Sequence, residues 1–123
     1  MGIKSQSEKN ECTCLYQNIV RKIMAKLLQI SFPFRGPFGK QLAETQSGLA
    51  RLINEEPGLI WKIWTENEEA QEAGGIYLFE DGENASAYLE MHTARLKGLG
   101  ITEISAKIFD VNIDLSHITR GPC

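Results

Sequence analysis

Cysteine is scarce in this 123-residue chain, which contains three, at Cys12, Cys14 and Cys123. An odd number of cysteines near the chain ends argues against a framework of disulfides. Cys12 and Cys14 would give a metal two thiolates, but no further cysteine or nearby histidine completes a set of four ligands. We therefore expect no disulfide scaffold and no bound metal.

The chain also lacks the features of nucleic-acid-binding and membrane proteins. Its formal net charge is -3, and no run of lysine or arginine offers a basic surface to DNA or RNA. No apolar stretch approaches the roughly 20 residues that span a bilayer, and residues 1–17 lack the apolar centre of a secretory signal. We expect a cytoplasmic protein without a nucleic acid or membrane partner.

Motifs of common catalytic sites are missing as well. The chain contains no nucleophile elbow, P-loop, dinucleotide-binding fingerprint or HExxH pair. Of the two histidines, His117 lies in the C-terminal segment LSHIT and is expected at the surface. Candidate functional residues must therefore come from the way the predicted elements bring side chains together.

The composition is that of one soluble globular domain, with 42% hydrophobic and 24% charged residues. We divide the chain into an N-terminal extension of unknown role, residues 1–23, and a domain, residues 24–123. Met24 stands directly before the first strand-like run and is a candidate natural start. Alternatively, the extension forms a helix, since its apolar residues recur at helical spacing: Leu15, Ile19, Val20 and Ile23.

The domain alternates between strand and helix patterns. Alternating apolar residues predict strands, apolar residues every three or four positions predict helices, and Pro57, Gly58, Gly98 and Gly100 mark helix ends. The predicted order is strand 26–32, helix 38–53, strand 59–67, strand 74–80, helix 81–98 and strand 101–111. This order predicts an α+β ferredoxin-like βαββαβ fold, with a four-stranded antiparallel sheet and both helices on one face.

Strand alternation separates the aromatic residues of the predicted hairpin. Trp61 is expected to face the helices, and Trp64 is expected with Tyr77 on the uncovered face. Tyr77 joins Trp61 only if a bulge at Gly74 and Gly75 shifts the register. The predicted occupants of the uncovered face are Gln29, Ser31, Lys62, Trp64, Tyr77, Phe79, Lys107 and Phe109. Such an aromatic face predicts a homodimer in which two sheets pack face to face as a dimeric α/β barrel.

The second predicted helix carries the most informative residue, His92. It lies in the middle of an apolar stripe, with Tyr88 and Arg95 along one edge. The other members of this stripe are Ala85, Leu89, Leu96 and Leu99. A histidine that faces the sheet is either a hydrogen-bonded core residue or part of a site. Trp61, His92 and Tyr77 together would bound a pocket, although either tryptophan alone is more typical of core packing.

Several strings in the chain are specific enough to suggest a family. They are LLQISFPFRGPFG, EPGLIWKIWTE, EAGGIYLF, YLEMHTARLKGLG and AKIFDVN. In this combination the chain resembles the YdhR family of monooxygenase-like proteins, within the superfamily of antibiotic-biosynthesis monooxygenases. The resemblance covers about residues 24–119 and leaves residues 1–23 outside.

The resemblance implies a homodimer that oxidises a small aromatic, phenol- or quinol-type substrate with O2 and uses no metal, flavin or haem. Catalysis would fall to His92 as proton acceptor or hydrogen-bond partner, to Arg95 as oxyanion stabiliser and to Trp61 as a pocket wall. The residues expected to bind substrate are Trp64, Tyr77 and Tyr88. One alternative is a non-enzymatic dimer that binds a small aromatic metabolite, and another gives His92 the role of haem ligand.

Overall fold

The computed structural model describes residues 24–123. The predictions made for residues 1–23, including the Cys12 and Cys14 thiolates and the alternative helix, lie outside this range. Within residues 24–123, three α-helices and four β-strands follow one another. They are β1 (Lys26–Pro33), α1 (Gly39–Asn54), β2 (Leu59–Asn67), β3 (Glu72–Phe79), α2 (Gly82–Gly98), β4 (Ser105–Asp110) and α3 (Ile113–Ile118).

The four strands form one sheet in the order β2-β3-β1-β4, and every neighbouring pair is antiparallel. The predicted βαββαβ ferredoxin-like order is confirmed. The short helix α3 was not predicted; it begins after Asn112, whose side chain accepts a hydrogen bond from the Leu115 amide at 3.1 Å.

Helix α2 begins and ends where the sequence signals predict. The Asp81 carboxylate caps it by accepting a hydrogen bond from the Asn84 amide at 2.8 Å. His92 is buried as expected, but Tyr88 is buried in the stripe and not at its edge. Leu99, which we expected in the stripe, lies past the last helical residue and is 71% exposed.

The hydrophobic core lies between the two long helices and the sheet. On β1, Leu28 and Ile30 point into it, as the alternation of that strand predicts. Ile53 is the buried residue of α1, whereas its neighbour Leu52 is exposed.

The prediction for the faces of β3 is wrong. Leu28 pairs with Tyr77, so Tyr77 points to the same side of the sheet as the buried Leu28, towards the helices. Phe79, two residues further along, shares that side and is fully buried. Alternation divides a strand into two faces, but it does not say which face is covered when both are apolar.

The prediction for β2 is wrong because of a bulge. Leu59 pairs with Phe79, but Trp61 pairs with the next residue of β3, Leu78, so Ile60 is the extra residue. Beyond the bulge every side chain lies on the face opposite to the one expected. Lys62 and Trp64 therefore face the helices, whereas Trp61 faces away from them.

Gly74 and Gly75 have a different role from the predicted shift of register. A Cβ on Gly74 would lie 2.0 Å from the backbone oxygen of Ile30, so Gly74 permits a close approach of β1 and β3. The pairing of β3 with β1 runs without interruption through both glycines.

Only half of the residues predicted for the helix-free face of the sheet lie on it. Four of its predicted residues do lie there by their register: Gln29, Ser31, Lys107 and Phe109. Trp61, Ile63, Ile76 and Leu78 take the places of the four that point inwards. The Trp61 indole Nε1 donates a hydrogen bond to the Pro122 carbonyl oxygen at 2.7 Å, so the C-terminal segment contacts this face.

Candidate functional site

A cavity of about 120 Å³ lies between the helices and the covered face of the sheet. We call it the inner cavity. Its lining includes Lys62 and Trp64 from β2, Tyr77 from β3 and His92 from α2. Apolar side chains that include Phe34 and Leu49 complete its walls. A small cavity with mostly apolar walls and a few polar groups is typical of sites for small molecules.

A wider groove of about 570 Å³ runs between α1 and β2, and we call it the outer groove. It shares Leu42, Gln46, Trp64 and Thr65 with the lining of the inner cavity. The Trp64 side chain is 40% exposed and borders both spaces. A ligand that enters from solvent along the groove therefore passes Trp64 before it reaches the inner cavity.

Tyr77, Tyr88 and His92 form a stack of polar rings at the floor of the site. Tyr88 Oη donates a hydrogen bond to Tyr77 Oη at 3.2 Å, and the Tyr88 and His92 rings stack with centroids 5.1 Å apart. Burial raises the pKa of Tyr88 to about 12 and raises the pKa of Tyr77 further. Both tyrosines are therefore neutral phenols at physiological pH.

His92 is 4% exposed and has one fixed hydrogen-bond partner. Arg95 Nη1 lies 3.3 Å from His92 Nδ1, and because arginine only donates, Nδ1 accepts and Nε2 carries the proton. Burial, followed by the positive charges of Lys62 and Arg95, lowers the pKa of His92 to about 4. His92 is thus a neutral hydrogen-bond donor through Nε2 near pH 7.

Lys62 is the site residue that the sequence pattern placed on the wrong face. Its Nζ lies 3.5 Å from the centroid of the Trp64 ring and 4.7 Å from that of Tyr77. Burial, and after it the positive charge of Arg95, lowers the pKa of Lys62 to about 7. One sequence feature could have identified Lys62 as a site residue: it is a lysine at the centre of an otherwise apolar strand segment, LIWKIW.

The site carries two cationic side chains, Lys62 and Arg95. Among residues 24–123, no carboxylate lies within ion-pair distance of either one. Arg95 donates hydrogen bonds to His92 Nδ1 and to Met91 Sδ, the latter at 3.2 Å. Because Lys62 lines a largely apolar cavity and Arg95 contacts its lining residue His92, the site favours a ligand with negative charge or one that develops it.

Most of the predicted site residues lie together. Trp64, Tyr77 and His92 line the inner cavity, Arg95 contacts His92, and Tyr88 lies behind His92 and Tyr77. The prediction for Trp61 is wrong in position: Trp61 lies on the other side of the sheet, and Trp64 takes its place in the pocket. His117 is exposed, as expected.

Two kinds of feature are missing from the described residues. No helix in the range 24–123 is both long enough and apolar enough to cross a membrane. In the same range, no three side chains of His, Cys, Asp or Glu converge as a metal site would require.

Together, the sheet order and the site define a class, that of ferredoxin-like α+β domains with a small aromatic cavity between helices and sheet. Within this class, the sequence model of the family described as "Putative mono-oxygenase ydhR" matches residues 27–122. The chain belongs to the YdhR family, so the resemblance seen in the sequence is confirmed. No curated protein matches the chain significantly.

Solved structures with a similar fold include two that cover most of the domain. A protein of unknown function from Nitrosomonas europaea has a TM-score of 0.56 at 12% identity, covering 74% of this chain and 92% of its own. A mutant of SnoaB, a cofactor-independent oxygenase from Streptomyces nogalater, has a TM-score of 0.52 at 13% identity, covering 72% of this chain and 93% of its own. At such low identity the likeness concerns the fold alone.

Proposed function

We propose that the protein is a cofactor-independent monooxygenase that oxidises a small phenol- or quinol-type substrate with O2 in the inner cavity. Its family is described as mono-oxygenases, and SnoaB, a protein of similar fold, is described as a cofactor-independent oxygenase. The observation that carries the proposal is the inner cavity itself, in which Trp64 and Tyr77 meet a neutral His92.

The size of the inner cavity supports a single-ring substrate. Its volume of about 120 Å³ is close to the roughly 150 Å³ of an engineered cavity that binds benzene. The haem hypothesis fits this space poorly, since a porphyrin contains four pyrrole rings.

The chemistry requires a substrate that supplies its own electrons. A phenol and O2 give a quinone and water, so one oxygen atom enters the ring, the other leaves as water, and no external reductant is needed. The ionised phenol is the form that gives up electrons to O2. In this reaction His92 Nε2–H would donate to the substrate oxygen, and the positive charge of Arg95 would stabilise the anion. The apolar walls exclude water from the reacting ring.

We also propose that the active form is a homodimer assembled through the helix-free face of the sheet. Ile63 and Phe109 on that face are 52% and 41% exposed in the single chain. Trp61 and Ile76 extend the apolar surface between them. Exposed apolar surfaces of this kind favour association, and a second copy of the same face buries both at once.

Oxygen uptake with a panel of phenols and quinols tests the proposed reaction. Trp64→Phe and His92→Gln should each lower kcat/KM about tenfold or more, because one reshapes the cavity and the other alters its hydrogen-bond donor. Trp61→Phe is the matched control, since Trp61 lies outside the cavity, and it should retain the wild-type rate.

Two outcomes would contradict the proposal. If the wild-type protein binds a phenol saturably but consumes no oxygen with any of the panel, it is a binding protein for small aromatics and not an oxygenase. If all three variants react at the wild-type rate, the reaction does not take place in the inner cavity.

A further inference from the structure

The proposed reaction needs a group that removes the proton of the substrate hydroxyl, and His92 is poorly suited to this task. Its Nδ1 accepts from Arg95 Nη1 at 3.3 Å, and its Nε2 already carries a proton. With a pKa of about 4, its imidazole holds an added proton weakly at neutral pH. His92 can therefore orient the substrate oxygen but is a weak base.

Few other titratable groups face the inner cavity. Tyr77 from β3 and Tyr88 from α2 are neutral phenols whose raised pKa values prevent ionisation near pH 7. The guanidinium of Arg95 only donates hydrogen bonds and is not a proton acceptor. From the side of α1, the cavity receives Leu42, Gln46 and Leu49, none of which titrates.

Two carboxylates lie nearby without facing the inner cavity. Glu66 lines the outer groove and accepts from the Gly39 amide at 3.0 Å. Glu56, in the turn between α1 and β2, acts on Tyr88 through its charge. Among residues 24–123, Lys62 is therefore the remaining group at the cavity that is able to take up a proton.

The position of Lys62 suits this role. It projects from β2 on the covered face of the sheet, in register with Tyr77, and its Nζ lies between the faces of the Trp64 and Tyr77 rings. Lys62 lines the inner cavity, so a substrate bound there would present its hydroxyl group to this amine. Because the pKa of Lys62 is lowered to about 7, both the free amine and the ammonium are populated at neutral pH.

We propose that Lys62 is the base of the site: its neutral amine accepts the proton of the substrate hydroxyl, and the resulting ammonium holds the phenolate. The O–H bond breaks, an N–H bond forms at Nζ, and the electron pair stays on the substrate oxygen. The proposal rests on the proposed function, since it assumes a phenol-type ligand in the inner cavity. It also restricts the substrate to aromatic rings with an acidic hydroxyl.

Binding of 4-nitrophenol tests this proposal without any oxygenation. The anion of 4-nitrophenol absorbs visible light and its neutral form does not, so a pH titration gives the ionised fraction of the bound probe. In the wild-type protein the bound probe should ionise at least one pH unit lower than the free probe. Lys62→Met should abolish this shift, and Lys62→Gln serves if the methionine variant does not fold, as judged by circular dichroism. The surface control Lys97→Met should keep the shift.

Lys62→Arg separates proton transfer from charge. Arginine keeps the positive charge but does not act as a base, so this variant should still ionise the bound probe. Its kcat/KM for oxygen uptake, however, should lose the rise with pH near 7 that the lysine produces in the wild type, and should follow the ionisation of the free substrate.

The outcomes distinguish the two proposals. An equal shift for the probe in wild type and Lys62→Met would overturn the role of Lys62 and leave the proposed function standing. An absence of saturable binding to the wild-type protein would overturn the proposed function, and the role of Lys62 with it.

Discussion

At the scale of single residues, the core of the protein contains buried polar rings that carry no charge. Tyr77, Tyr88 and His92 are almost fully buried and bond to one another or to Arg95. Within the described residues, no buried side-chain nitrogen or oxygen lacks a hydrogen-bond partner. Burial of these groups is tolerated because each one keeps its partner and stays neutral.

The burial of neutral His92 predicts a pH-dependent stability. The pKa of His92 is about 4 in the folded protein and ordinarily 6.5 when the side chain is exposed, so the unfolded chain takes up the proton first as the pH falls. The stabilisation is present above pH 6.5 and is lost between 6.5 and 4. Between pH 7 and pH 5 the free energy of unfolding should fall by about 2 kcal/mol through this residue.

Urea denaturation of wild type and His92→Gln at pH 7 and pH 5 isolates the contribution of His92. Carboxylates and Lys62 titrate in both proteins, so the difference between the two pH dependences belongs to His92. If the free energy of unfolding falls equally between pH 7 and pH 5 in both proteins, folding does not lower the pKa of His92.

The sequence identified His92 but misplaced two of its neighbours in the helix. Spacing alone put Leu99 in the stripe, yet α2 ends at Gly98 and Leu99 caps it. Spacing put Tyr88 at the edge, but a long side chain reaches inwards when a partner such as the Tyr77 hydroxyl is available. Helical periodicity gives the direction of a Cβ atom and does not describe the hydrogen bonds that draw a side chain inwards.

At the scale of elements, one extra residue decides which tryptophan belongs to the site. The order and type of the six predicted elements followed from periodicity and helix-end signals. The faces of β2 did not, because the bulge at Ile60 exchanges the positions of Trp61 and Trp64. Nothing in LIWKIW marks a bulge, since apart from Lys62 its residues on both faces are apolar or aromatic. Strands with two apolar faces are the ones for which register is weakly specified by sequence.

The two adjacent glycines of β3 predict a contrast between two alanine variants. Gly74→Ala places a Cβ 2.0 Å from the Ile30 carbonyl oxygen, where only movement of the backbone relieves the clash. Gly75→Ala places a Cβ 2.7 Å from Lys62 Cε, where a flexible side chain can move away. Gly74→Ala should cost about 3 kcal/mol of stability and Gly75→Ala about 1 kcal/mol.

Chemical denaturation measures both costs, and binding of 4-nitrophenol measures the effect on the site. Gly75→Ala should weaken the binding of the probe, because the displaced Lys62 leaves its place between Trp64 and Tyr77. Equal stability of the two variants would mean that β1 and β3 are able to separate at Gly74 without cost.

At the scale of the whole molecule, the two faces of the sheet have different roles. The covered face supplies the inner cavity, and the helix-free face presents Trp61, Ile63, Ile76 and Phe109. The sequence predicted an aromatic helix-free face and a homodimer. Because the register of β2 and the face of β3 were misassigned, half of the named contact residues were wrong. Assembly through this face is still expected, since the residues that replace them are also apolar.

The proposed homodimer predicts that a charge on the helix-free face separates the subunits. Ile63→Glu buries a carboxylate between two apolar sheets and should weaken association by about 3 kcal/mol, or roughly a hundredfold in Kd. Leu52→Glu is the matched control, because Leu52 is an exposed apolar residue on α1. Sedimentation equilibrium of both variants beside the wild type gives the dissociation constants. The wild type and Leu52→Glu should sediment as dimers at concentrations at which Ile63→Glu is monomeric. A wild-type protein that stays monomeric at the highest concentrations, or an Ile63→Glu variant with the wild-type Kd, would contradict assembly through this face.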